Sequence, residues 1–192
     1  TLAAVLFFAV AVSFLTSSVI AGGHEGKKMM KDNTVMVGGQ PMLPKKDIID
    51  NAVNSEDHTT LVAAVKAAKL VRTLKGKGPF TVFAPNNDAF GKIDSETLGS
   101  LLKPENVEAL SNILTYHVVS GKLMASDVTK ALKDGYGRVK LKALNGQTFV
   151  ARSKGGKIFL KDQNGDMSEV IATDVVGTNG VIHVIDSVIM PE

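Results

Sequence analysis

Three of the four histidines in this sequence, His24, His117 and His183, stand where acid–base or metal chemistry is worth testing. His183 is followed by Asp186 and Ser187, the three residue types of a nucleophilic triad. On a strand, however, side chains three or four residues apart do not converge as a triad requires. The chain has no Gly-x-Ser-x-Gly elbow and no His-Glu-x-x-His pair. It also has no Cys, which removes thiolate nucleophiles, disulfides and thiolate metal sites together. Gly76-x-Gly78 reads as a turn, since Pro79 lacks the donor a phosphate cradle would use. The chemistry therefore points away from an enzyme and calls for no cofactor. A soft-metal alternative rests on His24, Met29, Met30 and Met36, whose imidazole and thioether groups suit Cu(I). The same methionines can equally dock on apolar surface.

Charge narrows the partners. The chain carries 22 Lys+Arg against 19 Asp+Glu, a net of +3 with a pI near 9.0, short of the clustered excess of a nucleic-acid binder. Only Arg72, Arg138 and Arg152 offer a bidentate fork, a poor kit for gripping phosphates or carboxylates. Basic positions run from Lys27, Lys28, Lys31, Lys45 and Lys46 into Lys66, Lys69, Arg72, Lys75 and Lys77. They form either a solvated face or a weak attraction for an acidic polysaccharide or an anionic membrane. With two Tyr and no Trp, stacking platforms for sugars or single-stranded nucleic acid are disfavoured.

The elements that hold these residues fit one domain of ordinary size. Leu2 to Leu15 is an uncharged apolar run, and small residues follow as far as Ala21, the pattern of a secretory leader spanning 1–21. The competing reading is an anchor retained across Thr1–Gly23, the one circumstance that gives the chain a membrane partner. Residues 22–44 read as a mobile Met- and Lys-rich arm, and 45–192 as the folded domain. There, Leu61, Val62, Val65, Ala68 and Leu70 recur at helical spacing behind a cap at Asp57 or Thr59. Phe80–Ala84 is a strand stopped by Pro85, and helices follow over Ser95–Leu102 and Glu105–Tyr116. From Arg138 onward the pattern is β, with Asn145-Gly146, Asn164-Gly165 and Asn179-Gly180 as turns. Helices first and a meander behind make an α+β domain.

Three segments go further than this pattern. Thr81 to Phe90, reading TVFAPNNDAF, resembles the first signature of the fasciclin domain family. Gly180 to Pro191, GVIHVIDSVIMP, resembles the second, and Asn112 to Gly121, NILTYHVVSG, the Tyr-His segment between them. They occur in order across residues 46 to 192, and Val37 to Met42 resembles the lead-in of secreted bacterial members with a single domain. Lys69 departs from the family pattern, standing where Gly is frequent. The resemblance implies a compact β-wedge of about seven strands with packed helices. It further implies a non-catalytic adhesion or binding module, secreted, periplasmic or at the cell surface, contacting an extracellular or surface protein. Animal members imply integrin contact through Tyr116 and His117; the other reading of that pair is a core imidazole with its hydrogen bonds satisfied. Phe83, Ala84, Pro85, Asn86, Phe90, His183 and Asp186 belong to the signatures and read as folding elements. Asn86 or Asn87 is expected to cap the turn that holds Ala89 and Phe90 inward.

Overall fold

The computed structural model describes residues 34–192. The leader reading, His24, Met29 and Met30 fall outside them. Among the described residues no helix is long and apolar enough to cross a membrane.

Two strands from the two signature segments lie side by side at the centre. β3 (Phe80–Pro85) and β9 (Gly180–Ile185) run parallel, in register from Phe80 opposite Gly180 to Pro85 opposite Ile185. β4 (Val118–Ser120) pairs with the far side of β3. Beyond β9 come β8 (Met167–Gly177), β7 (Lys157–Lys161), β6 (Thr148–Lys154) and β5 (Arg138–Lys142), each antiparallel to its neighbour. The sheet curls until Ala143 bridges Val119 and the Leu144 amide donates to the Val118 carbonyl at 2.7 Å, a nearly closed wedge of seven strands.

All six residues of β9 are buried, as befits a parallel strand covered on both faces. On one face Ala84, Ile182 and Val184 join a core roofed by α1 (Ile48–Asn54), α2 (Thr59–Ala67), α3 (Val71–Leu74), α4 (Asn87–Gly91) and α6 (Val107–Tyr116). Leu98 of α5 (Ser95–Leu101) packs at its margin. On the other face Phe83 and Ile185 meet Tyr116, Phe149 and Leu160, closed by Val128 and Leu132 of α7 (Ala125–Asp134). Phe83 lies edge-on to Phe149 with ring centres 5.5 Å apart.

The entry to the β3–β9 pair tolerates no side chain. A Cβ on Gly180 would lie 2.2 Å from the Phe80 carbonyl oxygen, and one on Gly78 1.9 Å from that of Asn179. Asn179 itself joins three elements. Its Oδ1 accepts from the Ile48 amide at 3.1 Å, while its Nδ2 donates to the carbonyls of Leu74 and Gly76. One side chain thus caps the start of α1 and the end of α3.

The structure corrects several expectations. Part of the segment read as an arm is a hairpin, β1 (Val35–Val37) with β2 (Gln40–Met42), turned by Gly38 and Gly39 at φ 58° and 69°. Val37 and Met42 are buried in the core, and the Asn51 side chain holds Leu43 by both its amide and its carbonyl. α7 is not among the expected elements, although Val128, Ala131 and Leu132 recur at helical spacing on one face. Its first turn is held by the Asp174 carboxylate accepting from Ala125 at 2.7 Å, and by Asp127 accepting from Met124. The expected caps of α2 are also replaced. Glu56–His58 forms a 3-10 turn, and Asn87 reaches across to accept from the Thr60 amide at 3.1 Å.

Lys69 lies in the left-handed region, φ 59°, just past α2. Its amide donates to Lys66 and that of Leu70 to Val65, the pairing of a Schellman terminus that prefers Gly at this position. Lys69→Gly is expected to raise unfolding free energy by about 0.5–1 kcal/mol, the relief of strain less the added chain entropy. Urea denaturation reads this out, and a lowered midpoint would refute the strain.

Candidate functional site

Tyr116 and His117 end α6 just before β4, and the turn carries both side chains inward. Tyr116 is 0% exposed and His117 2%, so neither presents its ring to solvent; the structure places both in the core and not on a contact surface. The Tyr116 hydroxyl donates to the Thr148 carbonyl at 3.1 Å. Burial, with Asp162 adding to it, pushes the phenol up to about 12. His117 donates from Nδ1 to the Ile113 carbonyl at 2.8 Å and accepts at Nε2 from the Ile189 amide at 3.1 Å. One nitrogen must give and the other must receive, so the ring is neutral in a single tautomer. Burial holds it down, to about 4.

His183 repeats the device from β9. Its Nε2 donates to Leu123 at 2.8 Å and its Nδ1 accepts from the Asp174 amide at 3.3 Å, while the ring stacks on Phe83. Burial lowers its pKa against the pull of the Leu123 carbonyl and Asp174. Asp186 lies apart from it. Burial alone would raise that carboxyl, but the Glu169 amide at 2.7 Å and the Lys92 ammonium at 3.2 Å hold it below the usual range. Ser187 donates to Asp186 at 3.2 Å, so two of the three triad residue types touch while the histidine is bound elsewhere. Of the signature residues, Phe83, Ala84 and Phe90 are buried, Pro85 closes β3, and Asn86 caps α4 by accepting from Ala89 at 2.8 Å. Among the described residues no group of three His, Asp or Glu is placed to hold a metal, and Met36 is 60% exposed on the hairpin.

Sequence reasoning did not anticipate a cavity of about 210 Å³ between α1, α2, α3 and the sheet. Ile49, Val62, Val65, Leu74, Val82 and Ile182 line it, with Asp50, Lys66 and Lys75 as its charged margin. Lys75 is ion-paired with Asp50 and with Asp47. Ala52 and Ala84 contribute short side chains to the cavity lining. No spacing in the sequence signals it, because it arises between elements.

The family model for the fasciclin domain matches residues 56–191. The chain belongs to the fasciclin domain family. Protein sll1483 of Synechocystis sp. is 46% identical over 144 residues, covering 75% of this chain and 73% of that protein. The transforming growth factor-beta-induced protein ig-h3 of Sus scrofa is 33% identical over 148 residues, 77% of this chain but 20% of its own length. Among solved structures, the fasciclin domain pair of the insect cell adhesion molecule fasciclin I aligns with a TM-score of 0.67 at 19% identity. It covers 76% of this chain and 51% of that one, which establishes the shared fold.

Buried neutral histidines make stability depend on pH. The ordinary value of 6.5 applies once the chain unfolds, whereas His117 in the fold titrates near 4. Its full contribution is present above pH 6.5 and is lost as pH falls toward 4, amounting to roughly 3 kcal/mol. His58 and His183, lowered in the same direction by burial, add to the loss. Urea denaturation at pH 7.5, 5.5 and 4.5 is expected to show this decline, and a flat profile over that range would refute it.

Proposed function

We propose that the chain is a secreted or cell-surface fasciclin-domain module for adhesion and binding, without catalysis, contacting an extracellular protein or matrix component. The observation that carries this reading is the internal use of the polar signature side chains. His117 and His183 each engage both ring nitrogens within the fold, and Asp186 is occupied by Glu169, Lys92 and Ser187. Groups held in this way position backbone and core, which leaves the exterior to make contacts. A partner surface gains most from a few buried anchors and needs no reactive group. The leader reading of residues 1–21 supports export. Beads carrying the folded chain are expected to retain cells or cell-surface matrix of its source under flow. Retention no better than on beads carrying an unrelated β-rich domain would refute the reading.

The cavity favours a second reading, the binding of a small apolar ligand. Apolar cavities of about 150 Å³ stay dry and accept benzene, and this one is larger at about 210 Å³. Benzene is expected to shift the methyl resonances of Val65 and Ile182, and Val65→Phe, which fills the space, is expected to abolish that response. Shifts that persist in a folded Val65→Phe protein would eliminate the cavity as the site.

A further inference from the structure

The outward face of β5, β6 and β7 carries seven cations. Arg138, Lys140 and Lys142 come from β5, Arg152 and Lys154 from β6, and Lys157 and Lys161 from β7. Alternation sends Leu141, Phe149, Ala151 and Leu160 into the core and leaves these residues on the other side. Register then sets like charges against each other, with Arg138 opposite Arg152 and Lys154 opposite Lys157. Directly opposed like charges destabilise a sheet. Only Lys157 is relieved, by Glu169 at 2.7 Å; among the described residues the other six cations make no ion pair. Removing this face from the chain's 22 cations and 19 acids leaves everything else net negative. The small overall charge therefore conceals a polarised surface.

A second feature borders this face. Tyr136 is 97% exposed, in the turn between α7 and β5, two residues before Arg138. It adopts φ 53°, with its amide donating to Lys133 and that of Gly137 to Leu132, so it occupies the terminal position where glycine is relaxed. A bulky ring in the left-handed region is strained, and full exposure returns no burial energy. The cations lack counter-charges and the ring lacks a packing partner in the isolated fold, and one kind of ligand would pair the first and cover the second. The backbone strain at Tyr136 is what holding the ring in solvent costs.

We infer that this face binds a linear anionic polysaccharide, its carboxylate or sulfate groups on the cation rows and a sugar ring against Tyr136. This names the partner for the adhesion reading and rests on it. Alternate residues along a strand are about 6.8 Å apart and neighbouring strands about 4.8 Å, which makes a grid of charge that an extended polyanion can follow. Arg138 and Arg152 add forks suited to carboxylate and sulfate oxygens. A bilayer would call for several apolar groups inserted among the cations. Here Val150 and Phe159 are only partly exposed between them, and an exposed apolar side chain beside the rows, Met167 opposite Lys161, stands at the β8 margin next to the Glu169 carboxylate. Single-stranded nucleic acid would call for several stacking rings, and the face is bordered by one. Duplex DNA, held through its phosphates alone, would make no use of that ring and is told apart by the titration below.

The test titrates the full chain with polygalacturonate, with dextran, anionic phospholipid vesicles and duplex DNA in parallel. Binding to polygalacturonate is expected, with a loss of about tenfold or more between roughly 50 and 300 mM salt, and none to dextran. The double variant Lys140→Glu/Arg152→Glu is expected to lose about tenfold or more in affinity while its thermal midpoint holds or rises, because repulsion becomes attraction. Tyr136→Gly is expected to weaken binding with an unchanged salt slope and to raise the midpoint. Lys103→Glu, at an exposed cation in the connection between α5 and α6, is expected to leave binding unaltered. Full binding by the double variant, tighter binding to vesicles or DNA, or no binding to polygalacturonate would each overturn the assignment. If the double variant loses polygalacturonate yet still retains cells in the flow assay, this face is not the adhesive contact and the adhesion reading stands. If the parent chain binds polygalacturonate and retains no cells, the surface assignment stands and the adhesion reading falls.

Discussion

The parallel pairing of β3 with β9 is the constraint on which the rest of the molecule depends. It joins strands about a hundred residues apart in sequence, each covered on both faces, and so divides the interior into two cores. A parallel pair has no tight turn to set its register, so the register must come from shape and from capping. Gly78 and Gly180 permit the close approach at the entry, and Asn179 ties that entry to α1 and α3. The two signature segments of this chain meet here. Phe83, Ile182 and Val184 fill the cores, Asn86 caps the helix that follows β3, and Asn87 ties that helix to the start of α2.

Buried histidines serve this arrangement as two-ended connectors. His117 joins the last turn of α6 to the C-terminal segment, and His183 joins β9 to the bulge of β8 and to the start of the α7 region. A neutral imidazole suits that task because one nitrogen gives while the other receives, and a charged ring in the same place would lose its acceptor. Tyr116 contributes in the same way, with a large ring in the second core and its hydroxyl on β6. The residues that look most chemical are thus among the most structural.

The exterior is organised by the opposite logic. The core optimises neighbours, whereas the outer side of β5–β7 sets cations against cations, and the turn before β5 holds a tyrosine where glycine would be relaxed. Such arrangements lower the stability of the isolated fold, and departures of this kind concentrate at functional or strained sites. The cavity beneath α1 and α2 is a milder case of the same kind, an interior left unfilled where close packing is the rule.

Much of this protein was legible in its residues. The α+β class, the β meander and the main turns follow from local chemistry, because periodicity, Pro and Gly act over a few residues, whereas the glycine-favouring position at Lys69 was legible only through the family resemblance. The signature segments announced the family by their order. The Gly38-Gly39 hairpin was also present in the sequence as a turn signal, but it was masked by polar neighbours, and only the docking of Val37 and Met42 makes it an element. Tertiary structure alone decided the rest. A Tyr-His pair in an apolar stretch reads as contact or core until the partners of both ring nitrogens are known. Arg138 and Arg152 are single forks fourteen residues apart until strand register sets them face to face. Burial and register are relations between distant residues, and composition averages over both.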